Sequence, residues 1–340
     1  MSEAKRYLVV GPSWVGDMVM AQSLFRTLRE REPAAVVDVL APQWSLPIIA
    51  RMPEVRRGIG LPAVHGEFAF GVRRQLGLQL RPESYDHAII LPRSFKSALV
   101  PFFANVPLRT GFRGEMRFGL LNDIRQLDRA ALDQTVKRFV ALGLKPDEVP
   151  HHIPEPRLTV DAANQKALIE NYKLDVSRPV VALMPGASYG PAKCWPLNYY
   201  ALLAEQLVGQ GIGVWVLGSA GDRAAGEQIV GSNAGFNLAG ETRLEDTVDL
   251  LALCQVAVTN DSGLMHVAAA SGTHVIAQYG SSSPDYTPAL TQHKTIHYLN
   301  LECSPCFKRE CPLGHLNCLR NIDVERVRAS VEQVLALASV

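Results

Sequence analysis

The sequence predicts an α/β protein built from two doubly wound parallel-sheet domains in series. Three observations carry the prediction. Short apolar runs end in glycine-rich or polar turns and lead into helical spacing. This strand–loop–helix pattern starts near the N-terminus and restarts at Val180 of the 340-residue chain. Between the two series lies a proline-rich stretch, DEVPHHIPEPRLTV (147–160), which reads as a linker. Domains are therefore expected over 1–160 and 161–340, two units of ordinary size.

Each element follows from its residues. RYLVVGPSWVGDMVMAQSLFRTLRERE reads as strand, loop and helix, with Met18, Ala21, Leu24, Phe25 and Leu28 recurring at helical spacing. AVVDVLAP (35–42) is a second strand and YDHAIILPRS (85–94) a later one. Strands alternating with helices call for a parallel sheet covered on both faces. In the second half, VVALM opens the series. GVWVLGSAGD (213–222), VAVTND (256–261) and HVIAQYG (274–280) continue it. The chain closes with NIDVERVRASVEQVLALAS (321–339), an amphipathic helix with Val324, Val327, Val331, Val334 and Leu335 on one face. In open parallel sheets ligands bind beyond the carboxyl ends of the strands, so the chemistry is sought in those loops.

Composition narrows the class. With 47% hydrophobic and 20% charged residues the chain reads as globular. No apolar run reaches the ~18 residues that span a membrane, and the N-terminal apolar run is too short for a signal peptide, so a cytoplasmic protein is expected. The net charge of +1 conceals an asymmetry: residues 1–160 hold 22 Lys and Arg against 16 Asp and Glu, and residues 161–340 hold 12 against 17. The basic half suits an anionic partner; a modest imbalance on a solvated surface is the plainer alternative. The high charge and aromatic–basic interleaving of a nucleic-acid binder are absent, so no nucleic acid is expected. Neither a G-x-G-x-x-G fingerprint nor a G-K-[ST] P-loop occurs, which disfavours a nicotinamide dehydrogenase.

VVALMPGASYGPAKCWPLNYYALLAEQL (180–207) is a strand, a loop with glycines and prolines, one lysine and a helix. A helix start leaves N–H groups unpaired and carries partial positive charge, and glycine lets a backbone approach an anion closely, so the stretch is built to hold phosphate next to Lys193. An ordinary strand-to-helix connection is the alternative. VTNDSGLMHVAAA (258–270) adds a second such loop: Ser262 and Gly263 offer N–H groups and a hydroxyl, Asp261 suits a ligand hydroxyl, and His266 lies one turn further. Helix capping by Asp261 is the plain reading there. Asp222 in VLGSAGDRAAG suits ribose hydroxyls or a helix cap. Asp17 in GPSWVGD is either a helix-start carboxylate or a general base.

Two further groups stand apart. CSPCFKRECPLGHLNCL (303–319) spaces Cys303, Cys306, Cys311 and Cys318 as C-x2-C-x4-C-x6-C with His315 inside. In a cytoplasmic chain that pattern reads as metal ligands before disulfides, with a structural zinc the expected ion; reduced thiols or a conditional disulfide are the alternatives. RSFKSALVPFFANVPLRTGFRGEMRFGLLN (93–122) gathers Arg93, Lys96, Arg109, Arg113 and Arg117, and arginine's fork suits phosphates and carboxylates. Its apolar run Leu99 to Phe103 is read as a buried helix side, with lipid contact the alternative.

Taken together and in order, GPSWVGDMVMAQSLFRTL, RTGFRGEMRFGLLND, PGASYGPAKCWP, TNDSGLMHVAAA and YGSSSPDYTP resemble the bacterial lipopolysaccharide heptosyltransferases. The resemblance covers most of the chain. It implies a GT-B fold, two Rossmann-like domains facing across a cleft. It also implies inverting transfer of L-glycero-D-manno-heptose from ADP-heptose onto the first heptose of the lipopolysaccharide inner core. By the same resemblance Asp17 is the catalytic base and Lys193 holds donor phosphate. Asp261 contacts the donor heptose beside Ser262, Gly263 and His266, Asp222 serves the adenosine ribose, and Gly16 and Ser188 complete the donor contacts. The five cations would face an anionic acceptor at the cytoplasmic face of the inner membrane, with peripheral membrane contact. The 161–340 half would hold ADP-heptose and the 1–160 half the acceptor. No cofactor is required for the chemistry. Transfer to Kdo2-lipid A, a sugar-nucleotide epimerase on a similar fold, and a non-catalytic nucleotide-sugar module are the alternatives.

Overall fold

The computed structural model describes residues 4–63, 66–231 and 235–338. The chain divides into two units, Met1–Pro156 and Arg157–Val340. In the first, six described strands, β1 (Arg6–Val10), β2 (Val36–Pro42), β3 (Val55–Leu61), β4 (His87–Ile90), β5 (Leu108–Phe112) and β6 (Asp123–Arg125), form one parallel sheet in the order β3-β2-β1-β4-β5-β6. The helices are α1 (Val15–Arg31), α2 (Leu46–Ile49), α3 (Phe70–Leu80), α4 (Leu99–Phe103) and α5 (Thr135–Gly143). Central strands of a sheet covered on both faces must be apolar at successive positions, and Leu8, Val9, Ile89 and Ile90 are fully buried accordingly. Asp38, a fully buried carboxylate inside the sheet, is matched by Arg56, Arg57 and Tyr85, whose hydrogen bonds hold its pKa below the usual range against the opposing effect of burial.

The second unit repeats the plan. Strands β7 (Val180–Met184), β8 (Gly213–Val216), β9 (Phe236–Asn237), β10 (Val256–Asn260), β11 (His274–Tyr279) and β12 (Lys294–Tyr298) run parallel in the order β12-β11-β10-β7-β8-β9. Its helices are α6 (Ala162–Tyr172), α7 (Leu197–Gly209), α8 (Arg223–Val230), α9 (Leu244–Leu251), α10 (Gly263–Ala270), α11 (Asn317–Arg320) and α12 (Val324–Ala338). Trp195, Tyr200 and Leu203 pack with Val327 and Val331 of α12 in one core, and Val334 lies half-buried at its edge. Each such side chain contributes about 1.5–3 kcal/mol by leaving water. The closing helix therefore uses the apolar face read from its sequence.

Both units carry the Rossmann strand order, in which the order reverses beside the first strand. The reversal falls between β1 and β4 in the first unit and between β7 and β10 in the second. Adjacent crossovers run to opposite sides there, so the loops at the carboxyl ends part and leave room for a ligand. The strands without a clear sequence signal are β3, β5, β6, β9 and β12, which are short, charged or glycine-bearing. No helix among the described residues is long and apolar enough to cross a membrane.

Candidate active site

In the second unit the loops at the reversal are 185–195, after β7, and 261–263, after β10. Asn260, the last residue of β10, ties them together. Its amide donates to the Pro185 carbonyl (2.6 Å), and its side-chain oxygen accepts from the Trp195 N–H (2.8 Å) and the Tyr200 hydroxyl (3.2 Å). The buried Trp195 indole donates in turn to the Ile322 carbonyl (2.8 Å). Lys193, two residues before this anchored tryptophan, is thereby delivered to Asp261, with Nζ 2.6 Å from Oδ2. Thr287 Oγ1 lies 3.4 Å from both Asp261 oxygens. The Lys193 ammonium also stands 5.2 Å from the centre of the Tyr189 ring.

Beside this pair α10 begins. Ser262 occupies its N-cap with extended backbone, yet its side chain makes no capping hydrogen bond. The Ser262 hydroxyl is buried and has no partner among the described residues, and the same holds for Ser281 and Ser282 after β11. Buried hydroxyls ordinarily find partners, and the first N–H groups of a helix need acceptors. The cluster thus presents unsatisfied donors and a helix dipole next to an ammonium, which is the chemistry of a phosphate site. His266, buried one turn into α10, has its pKa pushed down to about 4 by burial, and the nearby Asp261 and Lys193 charges act in opposite directions. It is neutral at pH 7.

Asp222 is held differently from a free ribose ligand. One of its carboxylate oxygens accepts from the Ser219 N–H (2.8 Å) and hydroxyl (2.7 Å) in a capping box. The carboxyl lies so close to Gly186 that a Cβ there would be 2.4 Å from it. Ser188 is exposed on the 185–195 loop. Asn260, Thr287, Ser281 and Ser282 are the contributors that sequence reasoning passed over. For Asn260, Ser281 and Ser282 the signal available was their position at the carboxyl ends of β10 and β11.

In the first unit Asp17 stands in the first turn of α1, half-buried, behind an N-cap residue, Trp14, that makes no side-chain cap. Gly16 is buried beside it. The basic set is divided by the fold: Arg93 and Lys96 follow β4, Arg109 lies in β5, and Arg113 and Arg117 follow β5. Arg93 and Arg113 are exposed, and Lys96 donates to the Glu67 carbonyl (3.0 Å). Arg117 departs from the expected ligand role. It is 2% exposed, donates to the carbonyls of Pro92 (2.7 Å) and Phe112 (2.5 Å) and to the Ser97 hydroxyl (3.2 Å), and burial lowers its pKa to about 10. It braces the loop from inside. Arg109 likewise donates to the carbonyls of Leu120 and Val106 (both 2.6 Å), with its guanidinium over the Phe102 ring. The helix-side reading of Leu99–Phe103 holds for Leu99, Val100 and Pro101, which are buried, while Phe102 is exposed. Phe102 ends a run of neighbouring rings, Phe95, Phe68, Phe70 and Phe103, with successive centroids 5.4–6.3 Å apart.

The four cysteines Cys303, Cys306, Cys311 and Cys318 line one pocket with His315 and Ala192. All are free thiols. Nearby backbone N–H groups, that of Leu316 first, hold the Cys311 pKa below the thiol norm. Cys318 is pushed up to about 11 by burial and by the other three sulfurs. Among the described residues no three His, Cys, Asp or Glu side chains form a ready metal cage.

Comparison with known proteins gives the family. Residues 73–317 match glycosyltransferase family 9 (heptosyltransferase). Lipopolysaccharide heptosyltransferase 2 of Salmonella typhimurium is 45% identical, covering 97% of this chain and 99% of that protein. Lipooligosaccharide heptosyltransferase 2 of Haemophilus influenzae is 46% identical over 85% of this chain and 87% of its own. The solved structure of E. coli ADP-heptose lps heptosyltransferase II superposes with a TM-score of 0.89 at 43% identity, covering 98% of this chain and 100% of that one. Two Rossmann-like units on this framework make the fold GT-B. The chain belongs to glycosyltransferase family 9, the heptosyltransferases.

Proposed function

We propose that the protein transfers L-glycero-D-manno-heptose from ADP-heptose to the first heptose of the lipopolysaccharide inner core. The observation that carries the donor side is the start of α10: an N-terminus with no side-chain cap, a buried Ser262 hydroxyl without a partner, and the Lys193 ammonium beside them. Together they suit a diphosphate. The acceptor assignment rests on the heptosyltransferase 2 relatives, which match nearly the whole chain.

In the proposed reaction Asp17 takes the proton from the acceptor hydroxyl as its oxygen attacks the heptose C1. The bond from C1 to the diphosphate breaks, and ADP leaves with the electron pair. Lys193 and the Ser262 and Gly263 N–H groups take up the charge that develops on the leaving phosphate. Asp261 holds heptose hydroxyls, and His266, neutral by burial, keeps the helix start free of further charge. Asp222 supports the adenosine side through the turn it caps, and Ser188 lies at the exposed edge of the phosphate loop. The 161–340 half serves the donor and the 1–160 half the acceptor. Arg93, Lys96 and Arg113 meet the acceptor's anionic groups. The exposed rings of that run, Phe68, Phe70 and Phe102, give peripheral contact with the anionic cytoplasmic face of the inner membrane, since aromatic rings and basic side chains favour that interface.

The deciding experiment follows ADP release from ADP-heptose with heptosyl-Kdo2-lipid A, with Kdo2-lipid A, and with neither. Release that depends on the heptosylated acceptor is expected. Release with Kdo2-lipid A alone moves the protein to the earlier transfer, and silence with both removes the proposed reaction.

A further inference from the structure

The sulfur pocket and the phosphate loop are one construction. The segment that carries the cysteines runs alongside the loop that carries Lys193. The Ala192 N–H donates to the Arg309 carbonyl (3.0 Å), and the Tyr189 hydroxyl donates to the Phe307 carbonyl (2.8 Å). Gly190 passes so close to Arg309 that a Cβ would lie 2.6 Å from its carbonyl oxygen, at a φ of 154°. The Arg309 guanidinium and the Lys193 ammonium both stack on the Tyr189 ring, at 5.3 and 5.2 Å. The same segment is fixed to the end of β11, where the Phe307 N–H donates to the Ser281 carbonyl (2.7 Å) and the Ser304 hydroxyl to the Gly280 carbonyl (2.5 Å). Nearly all of residues 307–317 is exposed or half-buried and irregular, so little apolar burial holds the buttress in shape. Some other constraint is needed.

The thiols supply one. Two come from Cys303-x2-Cys306, one from the turn at Cys311 and one from α11. All four sulfur-bearing residues line the same pocket. His315 is already engaged, its Nδ1 accepting from the Asn317 N–H (3.0 Å), which leaves the four sulfurs as the ligand set.

We propose that Cys303, Cys306, Cys311 and Cys318 bind one thiophilic divalent cation, zinc or ferrous iron, as a closed tetrathiolate site that holds residues 303–318 against the Lys193 loop. Closure turns the sulfurs inward about the pocket they share and releases the thiol protons. With four ligands the ion keeps no open position, so its role is to position the loop. That second half rests on the donor-site reading; the metal site does not.

The test begins with metal content by mass spectrometry on the full-length protein purified without chelator. About one zinc or iron per chain is expected, falling below about 0.1 in Cys303→Ser and Cys311→Ser and unchanged in Cys254→Ala. Because a variant can fail to fold, wild-type protein stripped of metal is also titrated with Co2+, and thiolate-to-cobalt charge-transfer bands with tetrahedral d–d bands are expected. Metal-free protein that takes up no Co2+ with its thiols reduced, or a disulfide among the four in the protein as purified, overturns the site. Metal removal should weaken ADP binding about tenfold and expose residues 186–194 to protease. Metal loss that changes neither overturns the positioning role and leaves the site standing.

Discussion

Replacing Lys193 with alanine separates two costs that the structure places on one atom. The first falls on stability. Asp261 is 4% exposed and its cation 18% exposed, with Nζ and Oδ2 2.6 Å apart. Removing one partner of a fully buried pair costs about 3–5 kcal/mol; the residual access of water to Lys193 brings the expected loss to about 2 kcal/mol. For a unit of this size that is a fall in Tm of about 4–8 °C. The second cost falls on the nucleotide. A charge-assisted hydrogen bond to phosphate contributes about 1.5–3 kcal/mol, but Lys193 must first loosen from Asp261, so the lower end applies and the Kd for ADP rises about tenfold. Asp261→Asn should behave oppositely toward ADP, because it frees the ammonium and removes a negative charge beside the diphosphate. ADP then binds as well or better while turnover of ADP-heptose falls. The Lys193→Ala/Asp261→Asn double variant should regain most of the lost stability, as a coupled pair requires. Thermal melts and calorimetric titration with ADP read both costs. A Lys193→Ala protein that melts within about 1 °C of wild type and binds ADP unchanged would refute the reasoning.

Three other outcomes are expected. Asp17→Asn should bind ADP as wild type does and lose heptosyl transfer, measured by titration and by coupled ADP release; weakened ADP binding would place Asp17 on the donor instead. Arg117→Ala should cost about 3 kcal/mol in urea melts, since it leaves the buried Phe112 carbonyl and the part-buried Pro92 carbonyl without their donor, whereas Arg113→Ala, at an exposed position, should leave stability within about 0.5 kcal/mol and raise the acceptor KM. Stability should also fall on acidification between pH 6.5 and about 4. His87, His266 and His297 each have folded pKa values lowered from 6.5 to about 4, chiefly by burial, so the unfolded chain binds more protons in that window. Their contribution is complete above pH 6.5 and is lost as pH falls toward 4, by up to about 3 kcal/mol for one fully buried histidine. His266→Gln should flatten the pH dependence of urea midpoints in that range; a slope equal to wild type's would exclude His266 as a contributor.

The strand, loop and helix around Lys193 were legible in the sequence because their signals are local. A strand, glycines, one lysine and a helix start within 28 residues need no distant partner to be read. Asn260 was missed for the opposite reason: its amide matters because it reaches Pro185, 75 positions away, and that pairing exists only once β7 lies beside β10. Arg117 was misjudged because a guanidinium in a loop looks the same in sequence whether it meets solvent or carbonyls. The spacing of hydrophobic residues could not report that Gly111, with no side chain, lets the Arg117 fork lie against it. Strands β3 and β12 escaped notice because edge strands, half-covered and carrying arginine, glycine or lysine, lack the continuous apolar run of β7 or β10.

On the proposed function, the charge asymmetry between the two halves bears on how the donor is held. The half with the phosphate loop carries an excess of acid, 17 Asp and Glu against 12 Lys and Arg, so net field does not draw the diphosphate there. Attraction has to be local: one ammonium, one helix start and hydroxyls already buried before any ligand arrives. Local fields at buried donors are screened little by salt, while steering by exposed charge falls off within a Debye length of about 8–10 Å. Nucleotide affinity should therefore change little with ionic strength, and affinity for an anionic acceptor at the exposed Arg93 and Arg113 should fall as salt rises. The same Rossmann order builds both units, and on the proposed function the loops at each reversal decide whether a unit holds its anion by placed dipoles or by exposed charge.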